Sequence, residues 1–357
     1  EMAMYADDPD SVAYQLLMQT LYLKHPRRWP VLGERAAFDC LTRQDVLDYH
    51  ASRYVPNNVV LSIAGDVDAA EILSHLELLV EDLKSRPLNR EPIPHEPHQF
   101  GSRRVRKEFA VPYSKLHLAW RLPCSAHPDT PALSALSSIL GGGRSARFYE
   151  KFHDRLGLVY SIEVHSNQSE TDEGAFTISM DVDRAQRDKV RDLVLQELRN
   201  LAEEDFTEDL KRVCKQTRVS RLRRRSSASG VASEMGADWF GSRNLNLSSE
   251  WQEAIERVTT EDLHRVCSTW LSSPNVTEVS LDPPGSNAGD EEMASASAVT
   301  ALSEHVLGNG MKVVIREDHR LPLAYACMAF KAGCRAENEH DAGVTDLMSE
   351  CLLKGTS

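Results

Sequence analysis

Gly141-Gly142-Gly143-Arg144-Ser145-Ala146-Arg147-Phe148-Tyr149-Glu150-Lys151-Phe152-His153-Asp154-Arg155-Leu156-Gly157-Leu158-Val159-Tyr160-Ser161 is the stretch on which the reading of the chain turns. The residues before it, 132–140, read as a helix. Three consecutive glycines stop that helix, because glycine weakens helices and opens backbone angles that other residues avoid. Phe148, Phe152 and Leu156 then recur at i, i+4 and i+8, so residues 145–155 predict a second amphipathic helix, closed by Gly157. The apolar run 158–162 follows as a strand, which sets Tyr160 near the start of a sheet element where its hydroxyl can face a cleft. A half-buried strand aromatic is the commoner fate of such a tyrosine, and both readings stay open at this point.

Working outward toward the N-terminus, residues 1–86 read as helix, helix, strand, helix. Val12, Leu16, Leu17, Leu21 and Leu23 make one apolar face, ended by His25-Pro26 and Trp29-Pro30. Thr42-Arg43-Gln44-Asp45 is a helix start of capping-box type with Asp in place of Glu. Residues 59–64, Val-Val-Leu-Ser-Ile-Ala, predict a buried strand, and residues 69–83 a further helix. Four prolines make residues 87–99 a semi-rigid linker. Within it His95-Glu96-Pro97-His98 is a poor metal site, since its histidines are three apart and proline forbids the helix that would align them.

Toward the C-terminus, residues 100–282 form a second domain in which 115–122 alternate as a strand, Phe176, Ile178, Met180 and Val182 alternate as another, and 190–201 make an amphipathic helix. An internal repeat is visible: Thr42-x-x-Asp45, Tyr54, a Pro/Asn turn and Val59-Val60-Leu61 have counterparts in Thr259-x-x-Asp262, Trp270, Pro274-Asn275 and residues 276–281. Residues 283–300 are a Ser/Ala/Gly/acid linker. Residues 301–357 begin a third domain with a hairpin turn at Leu307-Gly308-Asn309-Gly310-Met311, a strand over 323–330 and a helix over 343–353.

The 357 residues exceed the size of one core, and 41% apolar residues suffice for several. A formal net charge of −13 argues against nucleic acid as a partner, and the basic run 221–225 reads as a solvated helix face. No apolar run is long enough to span a bilayer, so the expectation is a soluble protein, cytoplasmic or periplasmic. Seven cysteines without a C-x-x-C pair suit scattered thiols. Both ends read as cut through ordered structure, which predicts a segment of a longer protein.

The central stretch, with Gly157, Leu158, Tyr160 and Ser161 after a glycine-rich break and a short helix, resembles the second domain of the pitrilysin/insulinase family of zinc metallopeptidases, the family with the inverted zinc motif. Asp7-Asp8-Pro9, His25-Pro26, Pro30-x-x-Gly33, Tyr54-x-Pro56-Asn57-Asn58 and Gly65-Asp66-Val67-Asp68 resemble the rear half of the same family's first domain. The resemblance implies an α+β fold of repeated domains, each an antiparallel sheet covered by helices on one face, as in mitochondrial processing peptidases, paired around a chamber. It implies a tandem-repeat parent, of which residues 1–86 are the rear of the first domain, 100–282 the second, substrate-side domain, and 301–357 the start of a third.

In that family a His-x-x-Glu-His helix holds Zn2+ and supplies the general base. No such motif occurs in these 357 residues; at its place in the third domain stand Asp346, Ser349 and Glu350, a degenerate site. The resemblance makes Glu1 the third zinc ligand. It gives Tyr160 a role in holding the substrate or developing oxyanion, with His153 or Arg155 in the place of the family's arginine. The implied activity of the parent is hydrolysis of peptides or unfolded proteins, with the remaining domains of the same chain or a partner subunit completing the site. The chain by itself is expected to be inactive. A non-catalytic scaffold subunit of the same fold is the alternative.

Overall fold

A computed structural model describes residues 1–88, 92–168, 173–271, 274–285 and 303–315, with Cys327, Val344 and Met348. The chain forms two compact units, Glu1–Ser297 and Ala298–Ser357. Elements of the first unit are, in order, helices α1 (Met2–Asp7), α2 (Pro9–Leu21), α3 (Arg35–Phe38), α4 (Arg43–Arg53) and α5 (Ala69–Val80), then strands β1 (Arg103–Glu108) and β2 (Ser114–Leu122), helix α6 (Thr130–Gly141), strands β3 (Val159–Asn167) and β4 (Gly174–Val182), helices α7 (Arg187–Asn200), α8 (Thr207–Arg224), α9 (Ala228–Ser242), α10 (Leu247–Glu256) and α11 (Thr260–Val266), and strand β5 (Thr277–Asp282).

The five strands lie in the order β1-β5-β2-β4-β3. All neighbours are antiparallel except β1 and β5, which are parallel, so the expected antiparallel α+β sheet carries one parallel pair at its edge. Because side chains alternate across a strand, β2 sends Leu116, Leu118, Trp120 and Leu122 to one face, opposite Phe176, Ile178, Met180 and Val182 of β4. These pack with the apolar sides of α6, α7 and α11 into the main core. The reverse face is not bare: Ala119, Ala175 and Val279 meet Leu17, Met18 and Leu21 of α2, which lies across the middle of the sheet, and Tyr22 just after it. Burying each of the leucines, methionine and valine among them contributes ~1.5–3 kcal/mol.

The end of α2 is held in two further ways. Arg103 of β1 donates to the carbonyls of Thr20 and Leu21 at 2.9 and 2.8 Å. The Glu96 carboxylate accepts the backbone N–H groups of Leu23, Lys24 and His25 at 2.6, 2.8 and 2.9 Å. The proline-rich segment thus acts as a clamp, and its histidines take no part: His95 and His98 are exposed, and His98 packs edge-on against Phe100.

Gly141, the last residue of α6, touches β3 so closely that a Cβ there would collide with the backbone of Val164. Gly143 has φ 103°, a conformation that L side chains rarely adopt. The three-glycine break therefore brings helix against strand and turns the chain. After it, the expected α-helix over 145–155 is a π-helical segment, Tyr149–Arg155. Its i→i+5 bonding, seen in Leu156 N–H to the Lys151 carbonyl at 3.0 Å, buries Phe148 and Phe152 and leaves Leu156 half exposed, which a 3.6-residue period does not anticipate.

Both halves of the repeat start a helix with a complete capping box, Thr42 with Asp45 and Thr259 with Asp262. Beyond those helices the two copies diverge. The second copy ends in β5, buried between β1 and β2. In the first copy the expected buried strand over 59–64 is extended backbone with no sheet partner among the described residues, and Val59 and Leu61 are exposed. Its contact is with α9, through Ser62 Oγ donating to the Ala232 carbonyl at 2.8 Å.

In the basic run residues 222–225 are exposed as expected, and Arg221 is the exception. Arg221 is largely buried, donating to Glu234 and Ser249 at 3.0 and 2.7 Å, and so ties α8 to α9 and α10.

In the second unit, strands β6 (Ser303–Val306) and β7 (Lys312–Ile315) pair antiparallel about the expected turn. Gly310 adopts φ 85° there. The strand expected over 323–330, the helix over 343–353 and the degenerate site at Asp346, Ser349 and Glu350 lie outside the described residues.

Candidate substrate-facing site

Strand β3 is an edge of the sheet, and its pairing with β4 slips at one point: Val159 faces Val182, but Ser161 faces Asp181. Tyr160 is the extra residue, a β-bulge, and bulges re-aim a side chain. Its ring is 54% exposed and lies 5.3 Å from that of Tyr113, tilted by 42°. The strand expectation for Tyr160 holds, and its side chain is half exposed.

Tyr113 immediately precedes β2, and the Lys115 ammonium sits 5.6 Å from its ring centroid. Lys115 Nζ donates to Asp10 of α2 at 2.7 Å and to Asp181 of β4 at 3.0 Å, while Ser161 Oγ donates to Asp181 at 2.9 Å. Burial alone would lower the lysine pKa, but hydrogen bonds to the two carboxylates outweigh it and raise the pKa above the ordinary value. One row further along the same sheet face, His117 Nδ1 lies 2.9 Å from Ser179 Oγ. Burial, reinforced by Lys115, pushes the His117 pKa down to about 4, so the imidazole is neutral.

Beyond α2, toward β3, this face continues as Ser161, Glu163 and His165, whose cross-strand partners are Asp181, Ser179 and Thr177. Glu163 and His165 are exposed. A sheet that is apolar on one face and polar on the open half of the other offers hydrogen-bonding groups to a ligand laid along it.

The remaining candidates lie apart from this arrangement. His153 stacks on Tyr149 at 4.4 Å and 19°, and its Nδ1 is 2.7 Å from Asp154. Arg155 pairs with Glu150. Glu1 caps the start of α1 and lines a hollow of about 1200 Å³ with Tyr5, Tyr14, Arg27, Trp29 and Phe109; Tyr160, His153 and Arg155 are not among its lining residues. Among the described residues no group of three or more His, Cys, Asp or Glu is placed to hold a metal ion, so Glu1 is a single donor where a zinc site takes three or four protein ligands.

Lys115, Asp10 and Tyr113 carry no sequence signal, because the lysine occupies the polar side of an alternating strand and its partner stands 105 residues away.

The mixed five-stranded sheet with its helices matches the fold of solved M16-like peptidases. Residues 41–216 match the peptidase M16 inactive domain, which places that stretch of the chain in the peptidase M16 family. It is 24% identical over 285 residues to the zinc protease PqqE of Helicobacter pylori, covering 78% of this chain and 63% of that protein. It is 30% identical over 169 residues to an uncharacterized zinc protease of Mycobacterium tuberculosis, covering 45% and 37% of the two chains.

Among solved structures, the peptidase M16 inactive domain from Pseudomonas fluorescens superposes with a TM-score of 0.70 at 20% identity, covering 79% of this chain and 67% of that one. A protease from Helicobacter pylori gives 0.68 at 24% identity, covering 78% and 68%. The chain thus spans less than two thirds of the length of PqqE. Among the described residues no helix is long and apolar enough to cross a membrane.

Proposed function

We propose that this chain supplies the substrate-side domain of a zinc-dependent metalloendopeptidase that hydrolyses peptides or unfolded proteins in an enclosed chamber. Tyr160 is its substrate-facing residue. The observation that carries the reading is the bulge that turns Tyr160 outward from an edge strand, beside an open, polar half-sheet, in a stretch that matches the peptidase M16 inactive domain. The names of its relatives support zinc and proteolysis for the parent. The repeated capping boxes support a domain organisation with residues 1–86 closing a first domain, 100–282 forming the second and 301–357 opening a third.

The described residues do not by themselves compose a zinc centre. Glu1 would contribute one carboxylate to ligands supplied from elsewhere in the parent or from a partner subunit. Tyr160 would donate its hydroxyl to the oxygen that gains charge as the peptide carbonyl is attacked. Arg155 or His153 would leave Glu150 or Asp154 to meet a substrate carboxylate or carbonyl.

The test is zinc content and cleavage of fluorogenic peptides by the full-length protein and its Glu1→Gln variant. Loss of zinc and of cleavage together supports the assignment. Full zinc content and full activity in the variant refutes Glu1 as ligand, and a parent that neither binds zinc nor cleaves is the scaffold subunit instead.

A further inference from the structure

We infer that Tyr113 is a positioning residue for Tyr160, and that Asp10, Lys115 and Tyr113 form a connection fixing the Tyr160 hydroxyl relative to helix α2. The inference rests on the reading of Tyr160 as substrate-facing and adds the residues that hold it.

Tyr160 leaves the sheet at a bulge, so the β3–β4 ladder does not fix its side chain. The ring packed against it is that of Tyr113, at 5.3 Å. Tyr113 in turn has a rigid base. Its neighbour Ser114 is fully buried and donates to Asp282 at 2.6 Å, and Asp282 is paired with Arg187 in the core. On the other side of the bulge, Ser161 is tied to Asp181. Lys115 joins the two sides: its ammonium bonds Asp181, reaches over the Tyr113 ring and bonds Asp10 in the first turns of α2. Helix α2 follows α1, whose cap is Glu1. The backbone on both sides of the tyrosine pair is anchored, and the pair itself supplies the remaining restraint on the hydroxyl. Misplacing a catalytic group by about 1 Å costs up to ~100-fold in rate.

The test uses the full-length protein and a fluorogenic peptide, with fluorine NMR of fluorotyrosine-labelled protein to read the Tyr160 line. Tyr113→Leu is expected to lower kcat about tenfold or more with KM within about twofold, and to narrow the Tyr160 line. Tyr113→Phe, which keeps the ring, restores both. Asp10→Asn gives a smaller loss in the same direction. The double variant Tyr113→Leu/Tyr160→Phe is no slower than Tyr160→Phe alone, because the first residue acts through the second.

A Tyr113→Leu protein with unchanged kcat, while Tyr160→Phe is slow, overturns the inference and leaves the function standing. So does full additivity in the double variant. If Tyr160→Phe is itself at full speed, or the parent does not cleave, the function has failed. The NMR line then still decides: a Tyr160 resonance of unchanged width in Tyr113→Leu overturns the positioning, and a narrowed one upholds it.

Discussion

Lys115 Nζ stands 2.7 Å from the Asp10 carboxylate, so the central strand and the helix crossing it are joined by a charge pair whose lysine is buried and whose aspartate is 74% exposed. With the aspartate exposed to solvent and the lysine also paired to Asp181, this contact is worth about 1 kcal/mol or less. Leu17, in the same helix, is wholly buried against the sheet, and truncating such a leucine costs about 2–5 kcal/mol. Denaturant unfolding of Asp10→Ala and Leu17→Ala should therefore differ by several-fold in lost stability, with Asp10→Ala losing less than about 1 kcal/mol. Comparable losses would show that the charge pair, not the apolar contact, attaches α2.

His117 supplies a pH signature. Its folded pKa is depressed to about 4 from an ordinary 6.5, so the unfolded chain takes up a proton that the folded chain refuses. Stability from this group is fully present above pH 6.5 and is lost as pH falls toward 4, by roughly 3 kcal/mol at most. Unfolding free energies of the native protein and His117→Gln, measured between pH 7 and 4.5, should show a decline with acid that is shallower in the variant. Parallel curves would mean that the fold leaves the His117 pKa unshifted.

Glu96 acts at the other end of α2. Burial raises its pKa, but the three backbone N–H groups of residues 23–25 lower it further, for a net depression. Its contribution is present at neutral pH and is lost as acid protonates the carboxylate. Glu96→Gln keeps the shape but weakens the bonds, and should cost about 1–2 kcal/mol at pH 7, a loss that shrinks as pH falls from the ordinary carboxylate range toward the depressed folded pKa. A loss that stays the same as pH falls would contradict the clamp.

Gly141→Ala tests the helix–strand contact. The added methyl meets the Val164 backbone, which does not yield as a flexible side chain would, so a loss of about 1–3 kcal/mol in thermal or denaturant unfolding is expected. Stability unchanged within about 0.5 kcal/mol would show that α6 and β3 do not approach so closely.

Local signals carried much of this architecture. The glycine break, the alternation of β4, the turn at residues 307–311 and both capping boxes are short-range chemistry, readable wherever they occur. The readings that failed depend on what lies across the molecule. Residues 59–64 have strand composition, but a strand needs neighbours, and none stands beside them among the described residues. Lys115 and His117 look like a solvated strand face until α2, a hundred residues earlier, covers them. Phe148, Phe152 and Leu156 fit a helical period that the π-helical winding breaks. At the candidate site, Tyr160 was legible through its motif, whereas Tyr113, its ring partner, was not.

The most direct measurement is the turnover of the full-length protein carrying Tyr160→Phe, read with its zinc content and melting temperature. A substrate-facing hydroxyl predicts a kcat lower by about 100-fold or more with zinc and melting temperature unchanged. An unchanged kcat accompanied by a lower melting temperature would make Tyr160 a packing residue and contradict the proposed role.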